Sequence, residues 1–185
     1  MTVHLTAIRG GLGNSIRLAS DLPRIVPHRA EDELPPHVVT VDEQDTYRLL
    51  APTKILPALQ EHPIRVHTDL IEQQPVAVGT VLKRNSCLIV VVYDVDATPI
   101  TRAEWIRSAY RDLLHYGANQ RLSELAVPLL GCRYGVVDHR ASCRLLLEAV
   151  RSGGYDPLAI ATIRLRLEPQ QLGDTVDLLQ SVDSA

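Results

Sequence analysis

Residues Leu125 to Arg151, LAVPLLGCRYGVVDHRASCRLLLEAVR, restrict the fold more than any other stretch of the chain. An apolar run from Leu125 to Leu130 ends at Gly131, and from about Asp138 the apolar residues recur at helical spacing until Gly153 and Gly154. The pattern is strand, loop, helix. A loop of this kind aims backbone N–H groups and the positive end of a helix dipole at one spot, which suits a phosphate. The candidate ligand-binding residues are therefore Gly131, Cys132, Arg133, Tyr134, Gly135 and Val136.

The flanking segments extend the same alternation. Thr101 and Glu104 form a capping box, and Ile106, Ala109, Tyr110, Leu113 and Leu114 make one apolar stripe on a helix that ends near Gly117. Leu88 to Val95 is almost wholly apolar, as a central strand covered on both faces would be. With Val76 to Leu82 it forms neighbouring strands around a turn at Lys83 to Ser86. Leu158 to Leu167 reads as the last strand. Its alternation of Ile163, Leu165 and Leu167 with Arg164 and Arg166 predicts one face that is wet or meets an acidic partner. A helical pattern from Asp174 places Val176, Leu179 and Val182 on one side.

Together with the preceding AYRDLLHYGANQRLSELAVPLLG, the stretch resembles the C-terminal half of a macro domain, an α/β fold known for binding ADP-ribose. Ala109, Tyr110 and Arg111 match on the helix, Pro128 and Gly131 at the strand end, and Tyr134 and Gly135 in the loop. The resemblance implies a single three-layer α/β/α macro-like domain with a mixed central sheet over residues 1–185. Its recognisable half is 76–167, its divergent N-terminal half 1–75, and its C-terminal tail 168–185. It also implies that the partner is ADP-ribose or another diphosphate-containing nucleotide, with Tyr134 lying over a ribose or phosphate. Three departures bear on activity. One loop residue is missing, and Cys132 and Arg133 stand where the family has Thr or Ser and Gly. The strand Val38 to Val41 runs into Asp42, Glu43, Gln44 and Asp45 where the family has an Asn-Ala-Ala-Asn-like segment. No glycine lies between Tyr47 and Leu59, and Pro52 and Pro57 remove backbone donors where the family has a glycine-rich loop. The expectation is nucleotide binding with little hydrolase activity and no assignable catalytic residue. The alternatives are a noncatalytic structural or protein-interaction domain that has lost the pocket, and an ADP-ribosyl hydrolase.

The N-terminal half gives weaker signals. Val3 to Ile8 reads as a strand, Gly10, Gly11 and Gly13 as a tight turn or phosphate cradle, and Asn14 or Ser15 as the cap of a helix running to Leu22. Pro23 to Pro36 is polar and punctuated by proline, which predicts a surface loop. Asp42 to Asp45 reads as a solvated acidic turn, against a rival role as metal ligands or a catalytic carboxylate; Ile64 to Gln74 is ambiguous. Cys132, next to Arg133 and a helix N-terminus, is either a stabilised thiolate or a small residue filling space, and Arg133 either pairs with a phosphate or is solvated. Asp138 is an N-cap, and adjacency to His139 does not make an acid–base pair, because neighbours at a helix start point apart. His62 and His67 lack the context of a zinc site, so no metal and no cofactor is expected.

Composition excludes several classes. A chain of 185 residues fits one domain. The net charge of −3, with Arg far outnumbering Lys, gives no strong nucleic-acid signal and no global field for an anionic membrane. Cys87, Cys132 and Cys143 lack metal spacing and cannot all pair, and no apolar segment approaches the roughly 20 residues of a membrane span. A cytoplasmic location is the expectation. Phe is absent, so the core should be aliphatic.

Overall fold

The structure of the chain is a computed structural model, and it describes residues 16–17, 21–48, 74–134 and 136–183. Among these residues, seven strands form one mixed sheet: β1 (Ile16–Arg17), β2 (Arg24–Arg29), β3 (Val39–Asp45), β4 (Val81–Arg84), β5 (Cys87–Tyr93), β6 (Glu124–Pro128) and β7 (Thr162–Leu167). The helices are α1 (Ala103–Asn119), α2 (His139–Ser152) and α3 (Pro169–Asp183), with a short 3-10 turn at Pro157–Ala159. The strand order is β1-β2-β7-β6-β3-β5-β4. The inner strands β2, β7, β6, β3 and β5 are parallel, and β1 and β4 run antiparallel at the edges.

Topology fixes where the helices go. Through α1 the chain passes from β5 to β6, and through α2 from β6 to β7, moving the same way across the sheet both times. Right-handed crossovers in one direction put both helices on one face. Under them lie Val41, Leu88, Val90, Leu125, Val127, Ile163 and Leu165, all buried. Val91 and Ala126 alternate to the opposite face and are also fully buried, so that face is covered too. The result is the α/β architecture expected, with an aliphatic core.

The stripe of α1 is the one read from the sequence: Ile106, Ala109, Tyr110, Leu113 and Leu114 are all buried. Replacing Leu113, 1 % exposed, with alanine should cost about 2–5 kcal/mol. An unshifted denaturation midpoint for Leu113→Ala would show that this helix face carries no core. The helix start differs from expectation. Its N-cap is Arg102, with no side-chain cap hydrogen bond, and Thr101 is buried with its Oγ1 unbonded. With the helix beginning one residue later, Glu104 falls at the second position rather than the third, and the capping box cannot close.

Other expectations are met or corrected by pairing partners. The hairpin β4–β5 turns at Asn85 and Ser86, with Asn85 at φ 56°, and β5 lies second from the edge rather than centrally. Where a helix is expected up to Leu22, Ile16–Arg17 pairs with β2 instead. The predicted surface loop Pro23 to Pro36 contains β2, whose Ile25 is fully buried. Pro27 is tolerated there by parity. Arg24 and Ala30 donate their N–H groups towards β7, to Ala161 and Leu167, so position 27 faces the other side, beyond the two residues that β1 pairs. The Val3 to Ile8 strand, the Gly10 to Gly13 turn, His62, His67 and most of Ile64 to Gln74 lie outside the described residues.

Candidate functional site

Beyond β6 the chain continues towards β7, and beyond β3 it continues towards β4 and β5, so the strand direction of travel reverses between two neighbours. Open α/β sheets form their ligand crevice at such a switch point, outside the carboxyl ends of the strands. Here the crevice is bounded by the end of β3, the end of β5 and the loop after β6.

That loop is held from behind by a buried network. The Tyr110 hydroxyl accepts the Leu130 N–H at 2.8 Å, Ser142 Oγ donates to the Leu130 carbonyl at 2.8 Å, and Tyr110 and Ser142 meet at 2.8 Å. With the Ser142 proton spent on Leu130, the Tyr110 O–H is the donor between the two hydroxyls. Tyr110 therefore carries the resemblance for a structural reason, as the clamp that ties α1 and α2 to the strand end. Burial pushes its pKa well above the phenol value. Arg111 points to the surface, beside Ser108 and Asp112.

The crevice side of the loop meets an acid. Glu43, 8 % exposed, accepts the Gly131 N–H at 2.8 Å. Tyr93 hydrogen-bonds the same carboxylate and accepts the Arg133 N–H at 3.3 Å. Burial outweighs these donors and the nearby positive charge of Arg133, and it raises the Glu43 pKa above the ordinary carboxylate value. Burial, then the Glu43 charge, raises Tyr93 far above the phenol range. Tyr93 thus stays a neutral donor. The acidic run is not a solvated turn: it lies within β3, with Glu43, Gln44 and Asp45 all buried. Strand alternation also splits it, because Asp42 is on the opposite face, 3.7 Å from Arg166 and 3.6 Å from the Cys87 thiol.

The six candidate residues have distinct surroundings. Gly131 has φ +82° and gives its N–H to Glu43. The Cys132 N–H goes to the Leu129 carbonyl, and the Val137 N–H to the Gly131 carbonyl. The Cys132 thiol is pushed up to about 12, first by burial, which corrects the thiolate reading. Tyr134 is half exposed, with its ring edge-to-face on Tyr93 at 5.1 Å, and Val136 is exposed beside it. Gly135 lies outside the described residues. With the N–H groups of Gly131, Cys132 and Arg133 engaged, the loop's remaining capacity for a ligand anion rests, among the described residues, on Tyr134 and Val136. Asp138 is the N-cap of α2, accepting from Arg140 and Ala141 at 2.9 and 3.1 Å. His139 and Arg140 both reach Asp174 on α3, at 3.2 and 3.1 Å, and they hold its carboxyl below the usual range. Glu43 is the residue whose role the sequence reading left open between metal, catalysis and solvent. Its signal would have been the strand alternation carried on from Val39 and Val41, which puts Glu43 on their buried face.

No family model matches the sequence, and no curated protein matches it. Solved structures do. The chain is similar to a mutant of the Oceanobacillus iheyensis macrodomain with ADPR at TM-score 0.66 and 13% identity, covering 92% of this chain and 98% of that one. It is similar to the O. iheyensis macrodomain with ADP at TM-score 0.64 and 12% identity, covering 98% and 99%. A Trypanosoma brucei macrodomain in complex with ADP aligns at TM-score 0.56 and 12% identity, over 88% of this chain and 69% of that one. This chain has the macrodomain fold. Among the described residues, no group of three or more His, Cys, Asp and Glu could hold a metal ion, and no helix is long and apolar enough to cross a membrane.

Proposed function

We propose that this chain, acting as one domain over 1–185, binds an ADP-ribose-like nucleotide in the crevice beside Gly131 to Val136 and does not hydrolyse it. The observation that carries the reading is the half-exposed Tyr134 ring, set against Tyr93 at the strand ends of a macrodomain fold. An aromatic face beside loop N–H groups suits a ribose and one phosphate. The neighbours solved with ADP or ADPR lend support. Titration with ADP-ribose is the test: at 100 times its dissociation constant a ligand stabilises the fold by about 2.7 kcal/mol. An unchanged unfolding midpoint at saturating ADP-ribose would sink the reading.

Hydrolysis would need a water aligned by a polar group across from the loop. Asp42 faces away, and the Glu43 carboxylate is engaged by Gly131 and Tyr93. Release of ADP-ribose from mono-ADP-ribosylated substrates should therefore stay at the uncatalysed level. Turnover like that of an active hydrolase would refute this and make Asp42, Glu43 and Asp45 the first residues to substitute. A second reading, a noncatalytic interaction domain, is favoured by one observation: the Glu43 carboxylate already occupies the Gly131 N–H. Under that reading no nucleotide shifts the midpoint.

A further inference from the structure

A cavity of about 880 Å³ opens on the opposite face of the sheet, lined from β3 by Thr40, Asp42 and Gln44. That volume lies within the usual size of small-molecule sites. Arg164 and Arg166 project from the same face of β7, but Arg166 lines the cavity and Arg164 does not, and they fare differently. Arg164 is paired, reaching Glu124 at 2.8 and 2.9 Å. Arg166, with its side chain only 12 % exposed, has Asp42 at 3.7 Å and, among the described residues, no hydrogen bond. Its N–H groups are not sealed in the core but open onto the cavity, where they are available to a solute. The fork of Arg166 suits an oxyanion, which it can hold through two parallel N–H groups.

The rest of the wall limits which oxyanion fits. The connection between β2 and β3 brings Glu31, Asp32 and Glu33 to the cavity, all three exposed at its rim. Against these acids and Asp42, the cavity offers the cations Arg84 and Arg166. A dianion would be drawn to the floor and repelled at the rim, and a dication the reverse. A molecule with an oxyanion at one end and an ammonium at the other satisfies both. We propose that this cavity binds a small zwitterion, its carboxylate or other oxyanion on Arg166 and its cationic group towards Glu31 to Glu33.

Three four-carbon probes separate the charge patterns: γ-aminobutyrate, succinate and putrescine, each titrated at millimolar concentration against the full chain by thermal shift. γ-Aminobutyrate should raise Tm in a saturable way, and more than either of the others. Arg166→Gln should abolish that rise. Asp32→Asn with Glu33→Gln, at exposed positions where folding is safe, should weaken γ-aminobutyrate and strengthen succinate. No saturable shift from any probe, or succinate or putrescine binding the native chain as well as γ-aminobutyrate, overturns the proposal. So does a γ-aminobutyrate response unchanged in the rim variant. Because the crevice lies on the other side of the sheet, ADP-ribose titration of the rim variant reports on the nucleotide reading separately.

Discussion

Gly131→Ala should unfold at markedly lower denaturant than the native chain, with a loss of about 2–5 kcal/mol. Two costs combine. Gly131 sits at φ +82°, a conformation that costs a residue with a side chain roughly 1–2 kcal/mol. An added Cβ would also lie 2.7 Å from Ile106 Cδ1, 3.0 Å from its Cγ1 and 3.2 Å from Val137 Cγ2. Ile106 is fully buried in the α1 stripe, so its side chain would have to shift within the core. Overpacking of this kind adds about 1–3 kcal/mol. Gly173 provides the contrast: it lies exposed within α3 with nothing within 4 Å of an added Cβ. Gly173→Ala should gain roughly 0.5–1 kcal/mol from helix propensity. Equal midpoints for Gly131→Ala and the native chain would show that the loop relaxes at little cost and that its path is not set by Ile106.

The elements from β5 onwards were the legible ones because each carries its own signal, whereas the strand expected from Val76 begins only at Val81 and runs through Lys83 and Arg84. The unbroken apolar run of β5 and the helical stripes of α1 and α2 need no knowledge of distant partners. The alternation of β7 predicted a face that is wet or meets an acidic partner, and that face meets the chain's own Glu124 and Asp42. What escaped depends on contacts far apart in sequence. β2 reads as a loop because two prolines bracket its buried Ile25, and only the parity of its pairing with β7 makes Pro27 acceptable. Glu43 reads as solvated because a buried carboxylate is costly without donors. Its donor, the Gly131 N–H, lies 88 residues away. The site loop was therefore found as a segment, while the acid that closes it was not.

Glu43→Gln should tighten ADP-ribose binding and change how stability depends on pH. Glutamine keeps an oxygen for the Gly131 N–H but cannot ionise. Burial raises the Glu43 pKa above its ordinary 4.5, so the folded chain holds this proton more firmly than the unfolded one. The resulting stabilisation is complete below about pH 4.5, the unfolded value. It is lost as pH rises through the folded value. The variant lacks that loss, so its stability advantage over the native chain should open as pH increases and then level off. Binding should follow the same course. On the nucleotide reading, a phosphate beside Tyr134 sits near the ionised Glu43, because Tyr93 touches both, and like charges in a partly shielded crevice repel by roughly 1–2 kcal/mol at an effective dielectric near 20. The variant should accordingly bind ADP-ribose about 5- to 30-fold more tightly at alkaline pH, with the gap closing as Glu43 takes up its proton. Calorimetry of both chains across pH reads the affinities, and denaturation across the same range reads the stabilities. If neither chain binds, the nucleotide reading fails while the stability arm still stands. If both bind equally at alkaline pH, the phosphate does not sit beside Glu43. A stability gap that shrinks with rising pH would mean that the carboxylate is favoured in its charged form, held by Gly131, Tyr93 and Arg133 more strongly than burial disfavours it.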